Sequence, residues 1–492
     1  MPEPVFAAVD LGAETGRVVL GRLDGERVSL EVVHRFENRP VRLPDGLHWN
    51  LLSLFGEACR GLARAAGQAS LAGVGVDAWG VDYGLLDERG RLLGTPFQYR
   101  DRRTEGMVAR AHERVPREEL YTVTGIQTMP INTIFQLLAD EGAPALAAAE
   151  RIALVPDLFA LWLTGEFANE ITAASTTGLL DARAGTWARS LVERLRLPAA
   201  PFAGEPIEPS TTLGAVLAHH EGVGGIAVHA VAGHDTASAF AAAPLRAPHA
   251  GVLSSGTWSL LGVELDEPIL TPEASAFNLS NERGVDGTIR LLRNVMGLWL
   301  VQECRRSWGA DYEELHRHAE LVEGDVPLFD PDDEALLAPE DMPTQIAAAC
   351  KATGQSPPEG QGEVVRSILT SLACKYRLVL ERLTKVTGRD VEVVHVVGGG
   401  VRNELLCRLS ADLLGRPVHA GPVEATALGN VLVQARATGE LGSLEEMRAV
   451  AAASARPAVY EPAQRRDDTD AVYGRFLEVT GLAVDEPEPA IA

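Results

Sequence analysis

The chain has 492 residues, of which 46% are hydrophobic and 23% are charged, and its formal net charge at pH 7 is −24. This length is enough for two large domains or three smaller ones, and the composition is that of an ordinary globular protein. The acidic balance argues against a nucleic-acid-binding protein, because phosphate contacts need a basic face. It does not exclude an anionic substrate, since individual loops can still be positive.

The cysteines and the N-terminal segment indicate in which cellular compartment the protein is expected. The chain has five cysteines, an odd number with no C-x-x-C spacing, so neither a zinc site nor a disulfide framework is indicated. The N-terminus, M-P-E-P-V-F-A-A-V-D, has no basic region and only a short apolar run, which is unlike a signal peptide. No stretch approaches the roughly 18 uninterrupted apolar residues of a membrane span. We therefore expect a cytoplasmic protein with reduced thiols.

The first predicted element is a pair of strands around a glycine-rich turn. Pro4–Asp10 is a short apolar run, and the segment L-G-A-E-T-G-R separates it from a second apolar run, Val18–Leu20. Gly12 and Gly16 allow the backbone to approach a ligand, and successive N–H groups of such a turn can bind an anion. Asp10, at the end of the first strand, suits a hydrated Mg²⁺. A hairpin without a ligand remains the alternative.

Further along, Leu51–Ala66 has apolar residues at helical spacing and predicts an amphipathic helix. Trp79 and Gly80 beside Asp82 are typical of a wall against a sugar ring, or equally of a buried tryptophan next to a turn glycine. The segment Y-R-D-R-R-T at residues 99–104 is a dense polar cluster, which by composition alone is typical of a solvated face.

Near the midpoint, residues 230–239 read A-V-A-G-H-D-T-A-S-A. The polar residues His234, Asp235 and Thr236 follow an apolar run at a turn of small residues. Polar groups that follow a buried strand need hydrogen-bond partners, and a ligand is one possible partner. The residues that follow predict a helix that begins at or beside Asp235, so that this carboxylate is also a candidate N-cap. Both interpretations stay open on this stretch alone.

The second half opens with a pattern that resembles the first. Pro244–Ala250 contains two prolines and no periodicity, and we interpret it as a hinge between domains. Beyond it, Gly251–Val263 repeats the N-terminal strand–turn–strand pattern, which suggests an internal duplication. The second part of Asn278–Trp308 predicts a helix with Asn294 at its start, suited to capping or to a ligand.

The last recognisable pattern is the buried strand Val391–Val397, which runs into Gly398–Gly400 and then into the predicted helix Asn403–Leu414. A strand, a glycine-rich turn and a helix form a known cradle for a nucleotide. The spacing differs from those of a Rossmann dinucleotide fold and a P-loop, which disfavours both. Ala455–Ala492 is predicted to be partly helical, and we expect its last stretch, D-E-P-E-P-A-I-A, to be disordered.

The motifs, taken in order, resemble those of the carbohydrate kinases named for their F-G-G-Y signature, and within them the chain looks most like the rhamnulokinases. The matching segments are D-L-G-A-E-T-G-R at 10–17, W-G-V-D at 79–82, Y-R-D-R-R-T at 99–104, A-S-T-T at 174–177, G-H-D-T-A-S-A at 233–239, S-S-G-T-W-S-L-L-G at 254–262, N-V-M-G-L-W-L-V-Q at 294–302, V-G-G-G-V-R-N at 397–403 and G-P-V-E-A-T-A-L-G-N at 421–430.

The resemblance implies an α/β fold of two ribonuclease-H-like domains, as in the actin-like ATPases, with the active site in the cleft between them. Residues 1–245 would form the N-terminal domain, with the sugar site, the phosphate hairpin and the catalytic aspartate. Residues 250–450 would form the C-terminal, nucleotide-binding domain. Residues 451–492 would be a C-terminal helix and an acidic tail.

The resemblance also implies roles for individual residues, with Asp235 as the general base. The sugar site would contain Asp235 together with Gly80, His234, Thr236 and Asn294. Mg²⁺ would be held by Asp10. The residues implied to bind ATP are Ala13, Glu14, Thr15, Gly16, Arg17, Thr257, Gln302, Gly399 and Gly400. Glu14 is an unusual member of this set, because it brings a carboxylate into a turn that faces phosphates, and we expect its side chain to point to solvent.

The activity implied is ATP-dependent phosphorylation of L-rhamnulose at O1, giving L-rhamnulose 1-phosphate and ADP, by a monomer or weak homodimer. The nearest alternative is the same chemistry on L-fuculose or on D- or L-xylulose. A non-catalytic actin-like ATP-binding module is a further alternative, and the G-H-D-T motif argues against it, because such a module has no need of a sugar-activating aspartate.

Overall fold

The computed structural model describes residues 3–245, 249–463 and 466–488. Within them, most strands belong to two mixed sheets, one built from each half of the chain, and helices cover the faces of both. The expected two-domain α/β class is confirmed.

The strands of the first half are β1 (Val5–Leu11), β2 (Thr15–Leu23), β3 (Val28–Glu37), β4 (Val41–Leu43), β5 (Gly46–His48), β6 (Gly73–Ala78), β7 (Tyr83–Leu86), β8 (Arg151–Leu154), β9 (Thr212–Ala215) and β10 (Ala227–His229). Its helices are α1 (Leu51–Gln68), α2 (Met107–Arg114), α3 (Arg117–Thr124), α4 (Thr133–Ala139), α5 (Pro144–Ala147), α6 (Val155–Thr164), α7 (Ile171–Ser175), α8 (Arg189–Arg194) and α9 (Asp235–Ala241).

The strands of the second half are β11 (Ala250–Ser255), β12 (Trp258–Leu265), β13 (Ser280–Arg283), β14 (Ile289–Met296), β15 (Val393–Val397), β16 (Val418–Ala420) and β17 (Ala458–Tyr460). Its helices are α10 (Pro272–Ala276), α11 (Trp299–Trp308), α12 (Tyr312–Glu320), α13 (Met342–Ala352), α14 (Gly360–Thr387), α15 (Glu404–Leu414), α16 (Ala425–Ala437), α17 (Leu444–Ser454) and α18 (Arg466–Thr480).

The two larger sheets repeat one arrangement. In the first, the antiparallel strands β3, β2 and β1 are followed by the parallel strands β6 and β10; in the second, β14, β12 and β11 are followed by β15 and β16. Both hairpins expected from the sequence are present, as β1–β2 and as β11–β12. Every residue of β1 is buried, because helices cover both faces of this central strand. The shared strand order supports an internal duplication.

The division of the chain at residues 245–250 stays a prediction, and residues 246–248 of the proposed hinge lie outside the described residues. The structure adds that α16 and α17, which follow the second sheet in the chain, pack against elements of the first half. In a single buried cluster, Phe6 and Ala8 of β1 lie with Leu428 and Val431 of α16 and with Met447 of α17. The end of the second half therefore completes the core of the first.

Helix α16 also crosses α9 at close range. A Cβ atom added to Gly429 of α16 would collide with the backbone carbonyl of Ser238 in α9. Only a residue without a side chain allows the two helices to approach this closely. Because α9 begins at Asp235, this crossing also fixes the position of the proposed catalytic carboxylate.

The acidic tail differs from our expectation. Glu488 is 7% exposed, and its carboxylate accepts hydrogen bonds from Arg382 at 2.6 Å and from Lys375 at 3.4 Å, both of which are buried. These cations need a counter-charge, and the Glu488 carboxylate supplies part of it, so Glu488 packs against the fold whereas residues 485–487 are exposed. Residues 489–492 lie outside the described residues.

The helix expected to begin near Asn294 is placed too early. Residues 289–296 form strand β14, in which Asn294 pairs with Leu260 of β12, and α11 begins only at Trp299. The apolar spacing of this segment is compatible with either a helix or a strand, and it forms a strand because it pairs with β12 in the folded protein.

Among the described residues, no helix is long and apolar enough to cross a membrane.

The crossing of α9 and α16 predicts a stability difference between two helical glycines. We expect Gly429→Ala to lower the free energy of unfolding by about 1–3 kcal/mol, since the new methyl group overpacks the contact with Ser238. Gly474→Ala in α18, where an added Cβ meets no atom, should raise it by about 0.5–1 kcal/mol. Thermal or denaturant unfolding of both variants measures these changes. If the free energy of unfolding changed by the same amount and in the same direction in both variants, the close crossing of α9 and α16 would be contradicted.

Candidate active site

A cavity of about 280 Å³ lies between the two halves of the protein, where β1, β6 and β11 end. Most residues singled out from the sequence line it, although they come from segments far apart in the chain. The ones that the structure brings to this cavity are Asp10, Ala13, Glu14, Thr15, Arg17, Gly80, His234, Asp235, Thr236, Thr257, Asn294, Gln302 and Gly399.

Gly16 and Gly400 are not among the residues that line the cavity. A Cβ on Gly16 would overlap the ring of Phe36, and a Cβ on Gly400 would overlap the side chain of Ser255. Both glycines thus lie behind the cavity wall, where tight packing accounts for the absence of a side chain. Their suggested contact with ATP stays a prediction.

Helix α9 begins at Asp235, as expected, but His234 occupies the N-cap position. The Asp235 Oδ1 atom accepts a hydrogen bond from the backbone N–H of Thr236 at 2.6 Å and one from its hydroxyl at 3.2 Å. The side chain of Asp235 remains 31% exposed, towards the cavity that it lines. Burial raises the pKa of Asp235; His234 opposes this shift and the nearby Asp10 adds to it.

His234 connects Asp235 to a buried ion pair. Its Nδ1 atom lies 3.2 Å from Arg290 Nη2 and 3.3 Å from Glu282 Oε2, and its Nε2 atom lies 3.4 Å from Asp235 Oδ1. The imidazole therefore lies between the carboxylates of Glu282 and Asp235. Glu282 lies 3.2 Å from Arg290. Burial acts to raise the pKa of Glu282, but Arg290 and His234 lower it to about 2.

Glu170 holds the backbone of this loop, and sequence reasoning missed it. Its Oε2 atom accepts hydrogen bonds from the N–H groups of Gly233 at 2.9 Å and Ala173 at 3.0 Å, and from the hydroxyl of Thr172 at 2.6 Å. The same hydroxyl oxygen accepts a bond from the N–H of His234 at 3.2 Å. Burial raises the pKa of Glu170 to about 7, while these donors favour the charged form. The nearest sequence signal was the segment A-S-T-T at 174–177, which does not include Glu170.

The turn between β1 and β2 forms the opposite side of the cavity. Arg17 donates to Asp10 Oδ2, with Nη2 at 2.7 Å, and its Nη1 atom lies 2.9 Å from Glu424 Oε2. Burial opposes the charge of Arg17, but these two carboxylates raise its pKa further above its ordinary value. The guanidinium is therefore held between the end of β1 and the residue that precedes α16, at the boundary of the two halves.

Glu14 does not point to solvent as expected. Its carboxylate lies 3.4 Å from Arg306 of α11, on the other side of the cleft, and its side chain is 26% exposed. Burial raises the pKa of Glu14, whereas Arg306, Arg305 and Arg100 act to lower it. The local sequence showed no partner for this carboxylate, because the basic residues approach it only in the folded protein.

The far wall of the cavity combines a glycine-rich turn with buried polar atoms that have no partner in the described residues. Gly398, which follows β15, has a φ of 87°, a left-handed conformation that favours glycine, and Gly399 then lines the cavity. The Oγ atom of Ser255 and the Oε1 atom of Gln302 are buried and have no hydrogen-bond partner within residues 3–245, 249–463 and 466–488. Unpaired buried polar atoms are uncommon and costly, so these two fit a ligand that supplies the missing partners.

The part of the cavity near Gly80 and Asn294 contains a polar pair and aromatic side chains. The Asn294 N–H and side-chain amide donate to Gln127 Oε1 at 2.8 and 3.1 Å, which joins the two halves. Tyr99 and Arg100 are 4% and 7% exposed, so the cluster at residues 99–104 is not a solvated face. Val81 lines the cavity with a φ of 68°, a strained conformation for a β-branched residue and one found mostly at functional sites.

Comparison with protein families identifies the class of this protein. Residues 5–241 match the N-terminal domain and residues 251–438 the C-terminal domain of the FGGY family of carbohydrate kinases. The chain belongs to this family, which makes it a carbohydrate kinase and implies ATP as its phosphoryl donor.

Within the carbohydrate kinases, the chain is similar to curated rhamnulokinases over almost its whole length. The chain is 41% identical over 478 residues to a rhamnulokinase of Bacteroides thetaiotaomicron, an alignment that covers 96% of this chain and 98% of the relative. It is 39% identical over 476 residues to a rhamnulokinase of Klebsiella pneumoniae strain 342, with 96% of each chain covered.

Solved structures share the fold at much lower identity. Gluconate kinase from Lactobacillus acidophilus matches with a TM-score of 0.78 and 14% identity over 97% of each chain. Plasmodium falciparum glycerol kinase with ADP matches with a TM-score of 0.77 and 16% identity, covering 98% of this chain and 99% of that one. At these identities the comparison supports the two-domain architecture alone.

The contacts of Glu170 predict a catalytic effect for a residue that does not line the cavity. We expect Glu170→Gln to lower kcat at least tenfold, because an amide N–H replaces an acceptor that faces the N–H groups of Gly233 and Ala173. Glu166→Gln, an exposed residue of the same segment, should leave kcat unchanged. Steady-state kinetics of both variants check this, and equal kcat values would show that Glu170 does not position the loop.

Proposed function

We propose that this protein is an ATP-dependent kinase that phosphorylates L-rhamnulose at O1, giving L-rhamnulose 1-phosphate and ADP. The observation that carries the proposal is the cavity between the two halves, where Asp235 faces the β1–β2 turn and the Gly398–Gly399 turn. The identity of about 40% to two rhamnulokinases over almost the whole chain supports this choice of ketose. The carboxylate of Asp235 on the cavity wall argues against a non-catalytic ATP-binding module, because such a module has no need of a proton acceptor there.

In the proposed reaction, Asp235 accepts the proton of the sugar O1 hydroxyl while that oxygen forms a bond to the γ-phosphorus and the bond to ADP breaks. The environment suits this role, because burial raises the pKa of Asp235 and so makes its carboxylate a stronger base. His234 orients Asp235 through Nε2. Gly80, Thr236 and Asn294 line the same part of the cavity and are proposed to hold the sugar.

The phosphates of ATP are proposed to lie against the turn formed by Ala13, Glu14, Thr15 and Gly16, with Arg17 at its end. Backbone N–H groups of such a turn stabilise the charge of the transferring phosphoryl group. Thr257, Gln302, Gly399 and Gly400 are proposed to hold the nucleoside. Gln302 Oε1 in particular can accept a hydrogen bond, because it has no partner in the described part of the chain.

Mg²⁺ is proposed to bind with ATP at Asp10. No cluster of three or more potential metal ligands exists within the described residues. Asp10, with Asp235 in the same cavity, nevertheless fits a hydrated Mg²⁺, which uses one or two carboxylates together with phosphate oxygens and water. When bound, the ion neutralises phosphate charge. The Asp10 carboxylate is oriented for this by Arg17.

We also propose a cytoplasmic location and a monomer or weak homodimer in solution. The cysteines of the described residues, Cys59, Cys304, Cys350, Cys374 and Cys407, are all free thiols, which suits a reducing compartment. Size-exclusion chromatography with light scattering measures the oligomeric state directly.

Asp235→Asn is the direct test of the proposed general base. The amide keeps the shape of the side chain but cannot accept the sugar proton, so we expect kcat to fall by about 10²–10⁴-fold, with the KM for ATP nearly unchanged. Asp266→Asn, at an exposed position, serves as the matched control. An Asp235→Asn protein with near-normal kcat would remove this residue from the mechanism.

The substrate is tested with a panel of ketoses in a coupled assay of ADP release. We expect kcat/KM to be highest for L-rhamnulose, in line with the rhamnulokinase relatives. A higher kcat/KM on L-fuculose, D-xylulose or L-xylulose would make the substrate assignment wrong and leave the reaction class in place.

A further inference from the structure

One carboxylate next to the sugar side of the cavity is surrounded entirely by hydrogen-bond donors. Asp82 is fully buried and does not line the cavity. Its Oδ2 atom accepts bonds from the indole N–H of Trp49 at 2.5 Å, from that of Trp79 at 2.9 Å and from the backbone N–H of Tyr99 at 3.3 Å. Its Oδ1 atom accepts one from the Gln136 amide at 2.9 Å. These four bonds come from four separate segments of the first half.

A cluster made only of N–H donors favours a carboxylate over an amide at position 82. An ionised aspartate is an acceptor only, whereas an asparagine would turn an N–H donor towards one set of these donors. The buried charge is costly, and burial raises the pKa of Asp82 to about 6 even though Trp49, Gln136 and Trp79 donate to it. The protein therefore bears the free-energy cost of burying the Asp82 charge although Asp82 itself does not line the cavity.

The residues that Asp82 holds form one wall of the cavity. Trp79 and Tyr99 line it, and the Trp49 ring packs behind Trp79 with a centroid distance of 4.4 Å. The wall continues into the second half, because the hydroxyl of Tyr99 accepts a hydrogen bond from the indole of Trp258 at 3.2 Å, and Trp258 also lines the cavity. Asp82 thus holds the indole of Trp79 and the backbone of Tyr99 directly, and it is connected to Trp258 only through the side chain of Tyr99.

We propose that Asp82 is a positioning residue for ketose binding: it fixes the aromatic wall of Trp79, Tyr99 and Trp258, against which the apolar face of the sugar lies. The inference rests on the proposed function, since it concerns the ketose of that reaction. Aromatic rings that are already held in one orientation bind the C–H surface of a sugar at a lower entropic cost. The hydrogen bonds to Asp82 set the orientation of Trp79 and of the Tyr99 backbone.

Asp82→Asn tests the proposal. All four donors remain in this variant, but one acceptor is replaced by an amide N–H, so the wall loses its fixed orientation. We expect the KM for the ketose that the wild type uses best to rise at least tenfold, the KM for ATP to change less than twofold, and kcat to change less than the ketose KM. Tryptophan emission should shift as well, because the variant alters the surroundings of the Trp49 and Trp79 indoles.

Two further variants separate positioning from a general loss of stability. Leu62→Ala removes packing from the same core cluster without touching the cavity, and it should lower the melting temperature with no change in the ketose KM. Trp79→Phe removes one of the N–H donors. If Asp82 acts through Trp79, Asp82→Asn should raise the ketose KM by a smaller factor in the Trp79→Phe background than in the wild type.

The possible outcomes distinguish this inference from the proposed function. A ketose KM that is unchanged in Asp82→Asn, or that rises in Leu62→Ala by the same factor, would overturn the role of Asp82 while the kinase assignment stands. Equal factors for ATP and ketose would also overturn it. If the wild-type protein phosphorylates no ketose of the panel, the proposed function fails and the inference fails with it.

Discussion

The structure depends on holding one carboxylate, that of Asp235, at the junction of the two halves. The loop before it cannot satisfy its own polar groups, so Glu170 accepts the N–H of Gly233, and the buried pair of Glu282 and Arg290 supports His234. Each of these charges is costly to bury alone, and each becomes tolerable only through the partners that surround it. The buried charges of Glu170, Glu282 and Arg290 therefore all act on the short segment that carries Asp235.

A second feature on which the cavity depends is that helix α16, from the second half of the chain, packs against the sheet of the first half. Helix α16 packs on β1 and β6, and the Asn430 amide donates to Asp77 at 2.6 Å in the strand next to Asp10. Glu424, just before this helix, also binds Arg17. The side of the cavity proposed to bind the phosphates is thus assembled from both halves, and a relative movement of the halves would change the surroundings of Asp10 and Arg17 together.

Much of the architecture could be predicted from the sequence by local physical chemistry. Buried apolar runs with turns between them predicted both hairpins, and the amphipathic pattern of residues 51–66 predicted α1. The G-H-D-T segment correctly placed a helix start at Asp235. The ordered motifs predicted the family, and that assignment is confirmed by the matches to both FGGY domains. These features share one property, which is that neighbours in the sequence determine them.

The tertiary structure decided what depends on residues distant in the chain. Asn294 lies in a strand because β12 pairs with it, and Glu14 faces Arg306, which is 292 positions away. Glu170 and Asp82 acquire their partners only when separate segments converge, so composition could not distinguish them from other acidic residues. The sequence by itself determined both hairpins, helix α1 and the start of α9, because these follow from local patterns, and its ordered motifs determined the family by resemblance. The partners of the buried charges were decided by the fold, because electrostatic and hydrogen-bond energies depend on distance in space.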